Sequence, residues 1–254
     1  MKYKLSVKYI FVFLFLCITF SVKAQNDAYY STINPLNGTF ISDLKTRVRI
    51  PYLKIDYDYF DETNINNFSS FRNGATQRYV VCIYSSYQYN YTPPFLYTQG
   101  SYGFSREHTW CQSWMPYVTE SKDQYQDQHH IFPVEQNDAN AVRNNHPLGI
   151  VTNVSSTFWD FKYGTNSTGD DVGEPRNQHK GDAARALLYM TIRYDGVDSY
   201  TWNFNWLNGT KLPELNEGEQ DLNLLLQWHK QDPPDKWEVD RNNFIHYNQL
   251  NRNP

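Results

Sequence analysis

The stretch "SREHTWCQSW", Ser105 to Trp114, sets a cation, a carboxylate and an imidazole in a row, Arg106-Glu107-His108, among large aromatics. Consecutive side chains on a strand leave opposite faces. Glu107 and His108 therefore read as two groups placed on either side of a common point. Trp110 and Trp114 read as packing for the element that carries them, and Arg106 as a surface residue or a phosphate contact. About twenty residues on, Asp127, His129 and His130 stand together, followed by Asn137, Asp138, Asn140 and Arg143. Carboxylate and carboxamide oxygens suit a hard cation such as magnesium, which keeps several waters. An imidazole beside that cation accepts a proton from water, and an arginine holds a phosphate. These are the parts for phosphodiester hydrolysis. Each also has a plainer use: Glu-His as a solvated pair, His129-His130 as side chains that diverge on a strand, a lone Asn as a cap or turn.

The rest of the chain bounds the answer. Lys2, Lys4 and Lys8 precede an apolar run from Tyr9 to Ile18, and Val22-Lys23-Ala24 follows. This reads as a secretory leader, residues 1–24, cleaved after Ala24. The run is short of the roughly 20 apolar residues of a membrane span. Cys17 is preceded by Leu16, where lipidation wants a small residue. The expectation is a secreted or periplasmic protein with no membrane association after cleavage. Without the leader's four lysines the chain keeps 19 basic and 27 acidic residues, a net charge of −8. Nucleic-acid binding then needs a local patch or a bound cation, and Arg106, Lys122, Arg143 and Lys180 are the candidates. Cys82 and Cys111 remain, and a disulfide and two buried thiols are both open.

Periodicity gives a mixed α+β pattern in one domain, residues 25–254. "GTFISDLKTRV" reads as a helix with Phe40, Leu44 and Val48 on one face. Residues 61–77 read as a loop, 78–87 as a strand, and the Tyr/Pro stretch after it as a loop. Residues 126–149 begin strand-like and turn helical around 134–143. Residues 152–180 read mostly as loop. "GDAARALLYMTIRY" is a helix capped by Asp182, with a stripe of Ala183, Leu187, Met190 and Tyr194. "DLNLLLQWHKQ" repeats the pattern through Leu222, Leu225, Leu226 and His229. Asp235 and Glu238 make a capping-box pattern for a last helix to about Gln249.

Five segments in order, "SREHTW…SWM", "DQHHIFP", "NAVRNNHPLG", "KGDAARALLYM" and "QLNRNP", resemble the successive motifs of the endonuclease I family of secreted or periplasmic bacterial nucleases. The resemblance runs from about Leu36 to Pro254. It implies a ββα-metal (His-Me finger) core, with His108 as the general base, Glu107 and Asn140 as metal ligands, and Arg143 as a catalytic-site residue, either framework or phosphate contact. Asp127, His129 and Asn145 match supporting positions. The implied cofactor is magnesium, with manganese or calcium as alternatives. The implied substrate is DNA, with RNA also open, bound through its phosphates and cut with little sequence preference. Three departures stand out: Cys111 replaces a common proline, Leu250 replaces a glycine, and the segment after Pro133 is one residue longer, which makes Asn137 a rival to Asn140. The aromatic-rich composition and six N-x-S/T sequons also fit a non-catalytic glycan-binding protein. A metal-dependent phosphodiesterase acting on small substrates is the third reading.

Overall fold

The computed structural model describes residues 28–95, 103–115, 119–197 and 220–254; the leader and its cleavage point lie outside them. Helix α1 (Phe40–Arg49) buries Leu44 and Val48. A π turn (Phe60–Ile65) leads into an antiparallel meander of β1 (Ser70–Asn73), β2 (Gln77–Val81) and β3 (Gln88–Tyr91). A separate two-stranded ribbon pairs β4 (Phe104–His108) with β5 (Ile131–Glu135), and helix α2 (Asp123–Gln126) lies in the connection between them. After β5 a π turn (Gln136–Asn140) runs into the helical turn α3 (Ala141–Arg143). A second meander, β6 (Asn153–Phe158), β7 (Phe161–Thr165) and β8 (Asp171–Glu174), precedes helices α4 (Asn177–Tyr194), α5 (Leu222–Gln231) and α6 (Lys236–Gln249). The fold is α+β.

The ribbon and the turn after it hold the site, and local chemistry sets their junction. Every residue of β5 is buried. Its last one, Glu135, accepts hydrogen bonds from the backbone N–H groups of Asn137 (2.9 Å), Asp138 (2.6 Å) and Ala139 (3.1 Å). A carboxylate there satisfies the otherwise orphaned donors at the start of a helical turn. A π turn closes i to i+5 instead of i to i+4.

Helix α4 is buried on almost every side, from His179 to Tyr194, as a helix at the centre of a core must be. It starts at Asn177, earlier than the pattern suggested, and Asp182 is not its cap. Asp182 instead pairs with Arg185 (3.0 Å), whose guanidinium also binds Glu238 on α6 and the Asp232 carbonyl after α5 (2.8 Å). A Cβ on Gly181 would lie 1.9 Å from that carbonyl, so only glycine lets the two helices approach this closely. The "KGDAAR" segment is thus the joint between three helices. The C-terminus is pinned as firmly. Asp127 accepts from the His129 N–H (3.0 Å), the Gln249 amide (3.0 Å) and the hydroxyls of Tyr189 (2.6 Å) and Tyr194 (2.7 Å). Asn251 donates to the Tyr189 hydroxyl (2.5 Å) and the Val48 carbonyl (3.3 Å).

Several elements differ from the sequence reading. The 61–77 loop contains the end of a π turn and the strand β1. Its polar residues are internal partners: Asn66 donates to the carbonyls of Asp61 (2.9 Å) and Phe95 (3.1 Å). The strand at 78–87 ends at Val81, and the Tyr/Pro stretch contains β3. Residues 152–180 hold the whole second meander. On α5 the buried face is Leu222, Leu225 and Trp228, while Leu226 is 37% exposed. Asp235 caps α6 through the Glu238 N–H (2.8 Å), as expected. Cys82 and Cys111 are both buried free thiols, which selects the second of the two readings left open. Among the described residues no helix is long and apolar enough to cross a membrane.

Candidate active site

A cavity of about 530 Å³ opens where the ribbon meets the turn after it, and Glu107, His108, Asn140 and Arg143 all line it. Antiparallel pairing puts Glu107 opposite Phe132 and His108 opposite Ile131. Asn140 reaches the cavity because Glu135 caps the preceding turn. Asn137, on the same turn, is exposed and is not among the lining residues.

His108 is held by its neighbours. Its Nε2 lies 2.8 Å from the Tyr125 carbonyl. A carbonyl only accepts, so Nε2 carries the proton and Nδ1 carries the lone pair. The Gln112 amide then donates to Nδ1 (3.1 Å) and also to the Tyr125 hydroxyl (3.0 Å). Tyr57 stacks on the imidazole at 5.2 Å, and the His130 ring lies 5.1 Å away. Burial above all, with the nearby His130, pushes the His108 pKa down to about 3. The ring is therefore neutral at ordinary pH, as a proton acceptor must be.

Glu107 is buried, and one carboxylate oxygen accepts from Arg143 (2.6 Å) and from the Tyr84 hydroxyl (2.5 Å). Burial pushes its pKa up, and the Arg143 charge and the two hydrogen bonds pull it back. We take the pair as ionised, because a guanidinium at this distance in a dry site favours the carboxylate strongly. Arg143 is 1% exposed and also donates to the carbonyls of His108 (3.2 Å) and Thr109 (2.9 Å). It ties the turn to the end of β4.

Of the cations expected from sequence, Arg106 and Arg143 line the cavity, and both are already paired with carboxylates. The Arg106 side chain is 9% exposed, paired with Asp58 and Asp61 at 2.9 Å each, and lies 4.0 Å over the Tyr57 ring. It is neither a surface residue nor an open phosphate contact. Lys180 is bound to Glu174 (2.7 Å) and Asn177 (2.9 Å), away from the cavity lining. Asp127 and His129 lie at the buried C-terminal joint, whereas Asn145 lines the cavity. Burial works to raise the Asp127 pKa, but the charges of His129 and Arg193 and the donated hydrogen bonds hold it below the usual range. Trp110 and Trp114 are buried in edge-to-face contact at 5.8 Å, as packing for the ribbon. Sequence reasoning passed over Tyr57, Tyr84, Gln112 and Tyr125. The only signal for the three tyrosines was a general abundance of that residue, which has no spacing to read, and Gln112 carried none.

Among the described residues, no three His, Cys, Asp or Glu side chains gather as a ready cage for a metal. Glu107 and Asn140, the pair named from the sequence, are both among the oxygen donors that line the cavity. The pair is a sparse, hard set of the kind magnesium accepts while keeping most of its waters.

An α+β chain with a buried, neutral histidine and a carboxylate at one cavity has the outline of a hydrolase. Comparison with known proteins gives the class its name. The family model described as Endonuclease I matches residues 41–254. An extracellular ribonuclease of Bacillus amyloliquefaciens is 30% identical over 240 residues, covering 91% of this chain and 75% of that protein. An extracellular ribonuclease of Bacillus subtilis (strain 168) is 37% identical over 153 residues, 59% of this chain and 50% of that one. The chain belongs to the endonuclease I family. It is a nuclease, a hydrolase of phosphodiester bonds. The non-catalytic glycan-binding reading is set aside.

Proposed function

We propose that this protein is a secreted, metal-dependent endonuclease that cleaves RNA, and DNA as a second substrate, with His108 as the general base. The single observation that carries the mechanism is the fixed tautomer of His108, whose Nδ1 lone pair sits in the same cavity as Glu107 and Asn140. Water gives a proton to Nδ1 as its oxygen bonds to phosphorus, and the ester bond to the leaving sugar oxygen breaks. To do so, water takes over the lone pair from the Gln112 amide, which keeps its bond to the Tyr125 hydroxyl. Arg143 positions Glu107 and the end of β4 and does not touch substrate. Glu107 and Asn140 are the residues that would hold magnesium, which would stabilise charge developing on the phosphate. The extracellular ribonucleases among the relatives and the N-terminal leader pattern support the choice of RNA and of secretion.

The test is the initial cleavage rate of an RNA and of a supercoiled plasmid, in chelator and after magnesium or manganese is restored. Activity should vanish in chelator and return with metal. Full activity in excess chelator after dialysis would remove the metal from the proposal.

A further inference from the structure

We infer that the cavity recognises single-stranded RNA through sugar and base edges rather than through a run of phosphates, and that Asn144 is the side chain that reads it. The inference rests on the nuclease reading above and extends it to substrate class.

The first ground is the chemistry of the wall. Its two cations, Arg106 and Arg143, are buried in ion pairs with Asp58, Asp61 and Glu107. Among the described residues, no other lysine or arginine lines the cavity. Five carboxamides, Gln112, Gln136, Asn140, Asn144 and Asn145, line it, beside the carboxylates Glu107 and Glu120. A phosphate oxygen only accepts, and is best met by cations. A carboxamide offers both a donor and an acceptor, which match a base edge or a ribose 2′-hydroxyl. Those edges are free in a single strand, while in a duplex the pairing edges are occupied. Beside the lining residue Glu120, Lys54 donates to the Ser121 carbonyl (3.0 Å).

The second ground is the backbone of Asn144. This exposed residue lies directly after Arg143 at φ 47°, ψ −125°, a conformation that glycine adopts at no steric cost and other residues avoid. Both its backbone groups are fixed: its N–H donates to the Asn140 carbonyl (2.8 Å), and its carbonyl accepts from the Cys111 thiol (3.7 Å). Strain of this kind at the lip of a site points to a side chain kept for a ligand. Stability alone would favour glycine here.

The decisive variant is therefore Asn144→Gly, assayed on a labelled single-stranded RNA oligonucleotide, its duplex form and the matching DNA strand. If Asn144 reads the substrate, KM for the single-stranded RNA rises about tenfold while kcat stays within about twofold, the pattern of lost uniform binding. The melting temperature stays level or rises, which a merely structural role could not produce together with the KM change. For the unmodified protein, log affinity should fall with log salt at a slope no steeper than about −1.5, since each phosphate on a single strand contributes roughly −0.7. An unchanged KM in Asn144→Gly, duplex RNA or the DNA strand cleaved as well as single-stranded RNA, or a slope near −3 or steeper, overturns the inference. His108→Ala on the same RNA keeps the two readings apart: full activity there overturns the proposed base and leaves the Asn144 result standing on its own.

Discussion

Acid should unfold this protein partly through one buried histidine, and the size of the effect can be worked out. His130 is fully buried, donates from Nε2 to the Gln124 carbonyl (2.8 Å), and has its pKa pushed by burial from an ordinary 6.5 to about 4. Above pH 6.5 both folded and unfolded forms are neutral, and the group costs nothing. As pH falls below 6.5 the unfolded chain takes up a proton that the folded chain refuses until about pH 4, so stability is lost across that window. At about pH 5 the linkage relation gives a loss of about 2 kcal/mol from this one residue. For a chain of this size that is about 4–8 °C in melting temperature. Burial also pushes the Asp61 and Glu238 carboxyls up to about 7. Raised carboxyls gain stability on acidification, so the total curve mixes both signs. The comparison must therefore be differential. His130→Gln keeps an N–H for the Gln124 carbonyl and removes the titration, while Asp61 and Glu238 act equally in both proteins. By scanning calorimetry or circular dichroism, the gap by which the unmodified protein outmelts the variant at about pH 7.5 should shrink by about 4–8 °C at about pH 5. A gap that does not change with pH would refute the assignment of a depressed pKa to His130.

Other variants test the site. His108→Ala should lose about a hundred- to ten-thousand-fold in turnover while folding and binding RNA normally; cleavage at the unmodified rate rules out His108 as the base. Arg143→Met leaves the Glu107 carboxylate buried without its cation, so it should cost about 3–5 kcal/mol of stability together with activity; an inactive variant with unchanged melting would mean that Arg143 acts on substrate. Asn140→Ala should raise the magnesium concentration needed for half-maximal activity and Asn137→Ala should not; the reverse result exchanges the two ligands. Asn251→Ala breaks three buried hydrogen bonds and should cost about 1–3 kcal/mol, seen as lower melting with kcat per folded molecule unchanged; a kcat effect without a melting change would tie the C-terminus to catalysis.

The legible parts of the fold were those whose signal is local. Helix α1 and the buried face of α4 follow from apolar spacing, and α6 from its capping pattern. The second meander was invisible because β6 is exposed along nearly its whole length. A strand with no buried face has no alternation to read, and its order comes from pairing with β7. The α5 face was misread for a related reason. Leu226 and Trp228 are both apolar, and only the packing of α5 against α4 decides which one turns inward.

At the site, residue types were legible but their pairing was not. Glu107 and His108 stood out as neighbouring residues, while Asn140 was singled out from Asn137 and Asp138 only through the motif order of the endonuclease I family. The fate of Arg106 could not be read, because its partners Asp58 and Asp61 lie just before and within a π turn more than forty residues upstream. A net charge of −8 suggested that cations would be gathered where the substrate binds, yet charge counted along a chain says nothing about which charges are already neutralised. Here two arginines beside the cavity are used to build it. Arg106 secures the Tyr57 segment that stacks on His108, and Arg143 secures Glu107. A buried arginine paired on one side and hydrogen-bonded to carbonyls on the other fixes geometry to a fraction of an ångström, which general-base chemistry requires. The same pairing removes it from service as a phosphate clamp. The wall beside these paired arginines is rich in carboxamides, which donate and accept together.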